Sequence, residues 1–404
     1  MAKQIYNYEL FTSKKEELMR IQKRRIRKKR ARITAAVVIG LALFVGLYIS
    51  NNSRLYDYVY RNEQDTEERG DVMFEPFRDG FLKYSGDGIE YQKKYGVSEW
   101  NMPVSYSHPF IVKSESYAAM GDRGGNILTI FDESGEVSSL TLGFPLIQAG
   151  ISRQGMVEVI LEGEESNYIQ VYDRTGKLIA EMKSTVDVTG YPLTAALSPD
   201  GTILVVSYYS VKGMHAKNTI MFYDLSRQLQ SEQDISLENG FEYDNLMIPK
   251  LVFLKERQMA AVGDGEIHYF KVSDTVRETR AITFSQEIES VLTIDSSIGL
   301  LLENEDKPEE GKYIYELYNS SGNRVSRSSV DMNYDKISVW KDQIIALHEN
   351  ECTILNRKGN ILFQGDLTGG TLQALFPMSG WRTYRVIFTD KTAEMHMRIW
   401  KSSN

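Results

Sequence analysis

The chain has 404 residues, one cysteine and a formal net charge of −8. One cysteine excludes an intrachain disulfide framework and zinc-ribbon arrangements, and this length is enough for a body that folds on its own apolar core. The charge is unevenly divided: residues 1–32 hold twelve Lys or Arg against three Glu, leaving 35 basic and 52 acidic side chains, net −17, in residues 33–404. So acidic a body disfavours nucleic acid as a partner.

Residues 1–30 read as a basic cytoplasmic head. Ser13, followed by Glu16 three residues on, forms a capping box. Nothing after it breaks a helix before the apolar stretch, so a juxtamembrane helix is expected. The run from Arg24 to Arg32 has the look of a nucleic-acid patch. Beside an apolar span, however, such charge sets topology and touches anionic lipid head groups, at about 1 kcal/mol per residue near the surface. Tyr6, Tyr8 and Phe11 form a weak docking signal for a cytoplasmic partner.

Residues 31–50 are expected to be a transmembrane helix. Ten of these positions are Ile, Val, Leu or Phe, and residues 33–49 carry no charge. About 20 helical residues cross a hydrocarbon core of roughly 30 Å. No Ala-x-Ala cleavage site follows, so an uncleaved signal-anchor is favoured over a signal peptide. The excess of Lys and Arg before the span keeps the N-terminus in the cytoplasm and exports the body. The expected location is the plasma membrane, single-pass. Residues 51–71 are polar and short of aliphatic side chains; they read as a stalk, with Tyr56, Tyr58 and Tyr60 at the membrane interface.

Residues 72–404 repeat. Strand-and-turn units recur at LTIFDESG (128–135), IQVYDRTG (169–176), IMFYDLS (220–226), YELYNSSG (315–322) and CTILNRKG (352–359), with looser copies at 89–96, 267–271 and 397–401. The fifth positions of the eight units are 37 to 51 residues apart, the size of one four-stranded propeller blade. Alternating aromatic and β-branched residues suit a strand buried between sheets. Asp or Asn then starts a turn by bonding its own backbone, and Gly three residues later supplies positive φ for a hairpin bulge. No long amphipathic helix is evident. The expected fold is all-β, a β-propeller of eight blades, or seven if a terminal unit is half a blade; an irregular pair of β-sandwiches is the competing arrangement. The last blade has three strands or borrows a fourth from residues 72–77.

The span and three stretches of the body, FLKYSGDGI (81–89), IQVYDRTG (169–176) and GYPLTAALSPDG (190–201), resemble an uncharacterised family of single-span bacterial proteins, chiefly of Gram-positive anaerobes, defined by a domain of unknown function. The resemblance implies a membrane-anchored, propeller-like extracytoplasmic domain. It implies no activity and no functional residues. The repeats are also loosely similar to WD-type and quinoprotein-type blades. They lack the Trp-Asp ending of the first and the regular tryptophans of the second, with only Trp100, Trp340, Trp381 and Trp400 present.

Chemistry-bearing residues are sparse. His108, His215, His268, His348 and His396 form no HExxH and no close pair, so no metal site is expected. Cys352 lies in a strand-like run, the setting of a buried inert thiol. Asp87-Gly88, Asp200-Gly201 and Asp264-Gly265 are explained by hairpin turns, and GDRGGN (121–126) by a turn between two strands. The acidic runs at 162–165 and 303–310 read as solvated loop tips. With no catalytic, cofactor or metal constellation, the sequence favours a non-catalytic module that binds a protein or cell-envelope ligand. The alternative is an exported hydrolase or lyase with its active site in the propeller funnel. A third reading has the basic helix report ligand occupancy across the span.

Overall fold

Strands that alternate apolar and polar residues bury one face each, and strands with both faces apolar must lie between two neighbouring layers. Several third strands of the repeats are of the second kind: Ile127–Asp132 and Glu351–Asn356, for example, are buried along almost their whole length, whereas Gly88–Lys93 alternates. The computed structural model describes residues 28–30, 32–42, 46, 54–55, 57–66, 71–93, 96–226, 236–273, 275–378 and 382–398. Residues up to Ser53 form one unit and those from Arg54 another.

In the first unit residues 28–30, 32–42 and 46 are helical. Ile33, Val37, Val38, Ile39 and Leu41 are exposed on it. Among the described residues no helix is long and apolar enough to cross a membrane. Residues 31, 43–45 and 47–50 of the expected span lie outside the described residues, as does the head through residue 27.

The second unit is an eight-bladed β-propeller, with eight separate four-stranded antiparallel sheets. Seven are continuous in sequence and occupy residues 73–103, 109–141, 146–184, 191–244, 250–283, 288–330 and 336–366. The eighth combines Leu372–Pro377, Thr383–Phe388 and Lys391–Arg398 with Asp57–Asp65, which forms its outermost strand. The first strand of every blade is innermost. Each repeat unit found in the sequence falls on a third strand.

Eight apolar clusters hold the ring, one at each junction between adjacent blades. At the junction of blades 1 and 2, Trp100 stacks on Phe131 with centroids 5.4 Å apart. At the closing junction of blades 8 and 1, Phe81 stacks on Phe376 at 4.6 Å, and Trp340 packs against Phe376 from blade 7. Burying a Phe side chain is worth roughly 1.5–3 kcal/mol, so each junction contributes several such increments.

Residues 57–65 correct the sequence reading. The expected stalk 51–71 contains this strand, which pairs with Lys391–Arg398 from Asp57↔Arg398 to Asp65↔Lys391. Tyr58 donates to the Asp366 carbonyl at 3.0 Å, and Tyr60 meets the Phe388 ring edge-on at 5.9 Å. These two tyrosines therefore pack on blade 8 rather than at a membrane interface; Tyr56 lies outside the described residues. Met73–Phe77 is the inner strand of blade 1, not the fourth strand of the last blade. This outermost strand is half-buried over 57–60 and exposed over 61–65, so DYVYRNEQD shows no aliphatic run and passes for a tether.

The turn after the third strand follows the expected chemistry. Asp173 Oδ1 accepts from the amides of Thr175 and Lys177 and from the Thr175 hydroxyl. Asn319 and Asn356 each accept from the amides two and four residues on. In the first seven blades the register between third and fourth strands shifts just before this turn, at Val171/Tyr172 in blade 3 for instance. Gly359 has φ +84°, and a Cβ there would lie 2.3 Å from Tyr315 Cδ1 of the neighbouring blade; Gly124 has φ +80° with open space around it. Left-handed backbone alone costs an L-residue about 1–2 kcal/mol. Gly359→Ala should therefore lose about 3 kcal/mol or more and Gly124→Ala about 1–2 kcal/mol. Denaturant melts of the two variants check the difference; equal losses would mean that the contact with Tyr315 does not matter.

Candidate functional site

The inner strands face one another around the ring's centre, and strands alternate direction. Turns from first to second strand therefore open on one end of the ring, and interblade loops on the other. At the first end a cavity of about 1270 Å³ is walled by inner strands of blades 2 to 6. Six cationic side chains line it: Lys113, Arg153, Lys250, Lys255, Arg257 and Lys271. Its carboxylates are Glu115, Glu158, Glu256 and Asp295.

Most of the carboxylates are engaged. Arg153 spans blades by reaching Glu115 at 3.8 Å and Glu256 at 2.8 Å. Asp295 pairs with Arg357 at 3.1 Å. Lys113 and Arg257 are paired in turn with Glu75 and Asp200, at 2.6 and 3.7 Å. Lys250 instead donates to a neutral acceptor, the Val291 carbonyl of blade 6, at 2.9 Å. Its side chain is open to the cavity yet ringed by protein, and burial pushes its ammonium below the usual lysine range. Gln148 of blade 3 donates to Thr194 of blade 4 at 2.9 Å, tying two inner strands together.

Glu158 differs from the other carboxylates. It sits on Val157–Glu162 of blade 3, opposite Gly150 on the inner strand, and is 4% exposed. A Cβ on Gly150 would fall 1.8 Å from Glu158 Oε1, so the missing side chain makes the niche that the carboxyl occupies. Its Oε2 is buried without a hydrogen-bond partner. Burial pushes its pKa up to about 8, partly offset by its own backbone amide and that of Leu197. Burial thus favours the protonated form of Glu158. Sequence reading passed over it. The only local signal was one Glu at an interior position of the apolar run VEVILE.

The residues singled out in the sequence lie apart. The histidines belong to different blades or to the loop before blade 2, and among the described residues no group of ligating side chains has the geometry to hold a metal. His268 is buried, with Nδ1 3.0 Å from Glu278 Oε1 and Nε2 3.2 Å from Glu266 Oε2, under the Tyr243 ring. Tyr243 also donates to Glu278, at 2.7 Å, so Glu278 ties the two rings together, while His268 Nε2 is buried without a hydrogen bond. Cys352 is fully buried and burial pushes its thiol up, as expected of an inert cysteine. The Asp-Gly pairs and residues 121–126 lie in or beside strand-connecting turns; the runs at 162–165 and 303–310 lie in exposed or partly exposed connections between strands. Trp381 and Trp400 lie outside the described residues.

The opposite end of the ring bears an apolar surface on blade 4. Ile203–Lys212 and His215–Asp224 form a long hairpin. Val211 and Met214 at its tip are 60% and 96% exposed, and Val186 and Val188 in the preceding interblade loop 58% and 81%. Gly190 of that loop abuts Ser210, and Asn245 of the following loop donates to the Ala216 carbonyl at 2.8 Å. Two interblade loops therefore flank this hairpin.

A family model matches residues 51–397, the whole propeller with its closing strand. The chain belongs to a family of unknown function, DUF5711. No curated protein matches the sequence. Among solved structures it is similar to BamB from Moraxella catarrhalis, with 14% identity over 84% of this chain and 100% of that one and a TM-score of 0.48. It is also similar to Kuenenia stuttgartiensis hydrazine synthase, with 10% identity over 70% and 94% of the two chains and a TM-score of 0.45. The C-terminal WD40 domain of Sif2 has 14% identity over 70% and 82%, with a TM-score of 0.43.

The buried acid makes stability depend on pH. Between its usual value of 4.5 and about 8, folded Glu158 keeps a proton that the unfolded chain releases, so stability falls as pH rises through this window. The slope is at most about 1.4 kcal/mol per pH unit. Glu158→Gln stays neutral and should remove that part of the slope, so the melting-temperature difference between variant and parent grows from pH 5 to pH 8. A constant difference would show that Glu158 is ionised in the fold.

Proposed function

We propose that the protein is a membrane-anchored, extracytoplasmic β-propeller that binds a protein of the cell envelope and catalyses no reaction. The observation that carries the binding reading is the exposed apolar surface on the hairpin and flanking loops of blade 4. Contiguous apolar side chains on a soluble face mark interaction sites, whereas scattered ones need no explanation. A rigid ring also presents its loops at low conformational cost. The anchoring reading rests on the uncharged stretch at 33–49 and the basic residues before it, with the N-terminus in the cytoplasm and the run from Arg24 to Arg32 against anionic lipid head groups.

Two measurements test the two parts. Val188→Asp with Met214→Asp should leave the melting temperature within a few degrees and cut capture of envelope proteins by at least tenfold; undiminished capture would remove the surface from the argument. For topology, the native Cys352 is buried and silent to a membrane-impermeant maleimide. In intact cells the exposed loop variant Ser321→Cys should label and Ser13→Cys should label only after lysis. The reverse pattern would invert the orientation.

A further inference from the structure

At the other end of the ring from the apolar hairpin, the cavity between blades 3 and 5 has the chemistry of a small-molecule site. We propose that it binds a small organic diacid, with the ammonium of Lys250 taking one carboxylate and the carboxyl of Glu158 meeting the other. This is independent of the protein-binding surface and involves none of its residues.

The sign of the ligand follows from the wall. The body carries a net charge of −17, yet the cavity gathers six cations against four carboxyl groups. Three of those four are occupied by Arg153 and Arg357, and Lys113 and Arg257 are paired with Glu75 and Asp200, so the surplus rests on Lys250, Lys255 and Lys271. A cationic concavity in an acidic surface concentrates anions, because low-dielectric walls focus the field. Lys250 is held in place by the Val291 carbonyl, which uses one of its three hydrogens and neutralises none of its charge.

Glu158 gives the second contact. A buried polar atom without a partner costs about 1–3 kcal/mol; Glu158 Oε2 is such an atom, on a residue that lines the cavity. Burial disfavours the charged form of this carboxyl, and its protonated form has a hydrogen to donate. A ligand carboxylate satisfies it through a charge-assisted hydrogen bond, stronger than a neutral one. An amine would instead meet the surplus of cations around it. Lys250 and Glu158 lie on different blades, so a ligand that reaches both has acidic groups at two ends.

The test is titration calorimetry of the full-length chain at pH 7 with succinate, adipate and suberate, each beside its diamide, and with inorganic phosphate. At least one diacid should bind, with its diamide and phosphate at least tenfold weaker. Lys250→Gln keeps a donor for the Val291 carbonyl but loses the charge, and should weaken the diacid at least tenfold. Glu158→Gln keeps a neutral donor and should stay within about threefold of the parent, whereas Glu158→Leu should lose at least tenfold. Should Glu158→Leu not fold, the Lys250→Gln result decides. Diamides equal to diacids, phosphate tighter than every diacid, no heat at millimolar concentration, or full affinity in Lys250→Gln would each overturn the proposal.

Discussion

Everything in the body depends on closing the ring. Eight sheets placed side by side form a propeller only if the last packs against the first. Here that junction is made twice: by Phe81 stacked on Phe376 near the centre, and by Asp57–Asp65 laid along Lys391–Arg398 at the rim. The rim ladder joins the first strand of the body to the last, so opening it must separate the two ends of the chain. It also covers a strand edge that would otherwise be free to pair with another chain. The geometry of the central cavity, which borrows wall from five blades, exists only while this closure holds.

Much of the architecture was legible in the residues because blades are built locally. Several third strands are apolar on both faces, five of the eight turns begin with an Asp or Asn that bonds its own backbone, and five keep a glycine. Those signals span fewer than ten residues, so they survive without any knowledge of distant contacts. Blade number followed from counting them. The closing strand was not legible for the converse reason. DYVYRNEQD has a half-buried first half, an exposed second half and a partner more than 300 positions away, and no local pattern distinguishes it from a polar tether. Its tyrosines, read as an interfacial belt, are the very side chains that seat it on blade 8.

The candidate site shows the same limit more sharply. Glu158 is one acidic letter in an apolar strand. Its meaning comes from Gly150 across the ladder and Leu197 on the next blade, and neither contact leaves a mark at the position itself. Lys250 is similarly ordinary until the inner strands are brought around a common axis. The apolar hairpin of blade 4 was read as strand on its residues, but its exposure follows from its length beyond the neighbouring loops. Sequence located the wheel; the arrangement of its two ends required the fold.

Native-state hydrogen exchange of the full-length chain, followed residue by residue through 57–65 and 391–398, tests the closed ring most directly. Closure predicts that amides of the two strands exchange together, at rates within the range of the outer strands of the seven continuous blades. Rapid exchange of residues 57–65 beside full protection of 391–398 and of the other blades would contradict it, because the first strand would then be a tether and the eighth blade would have only three strands.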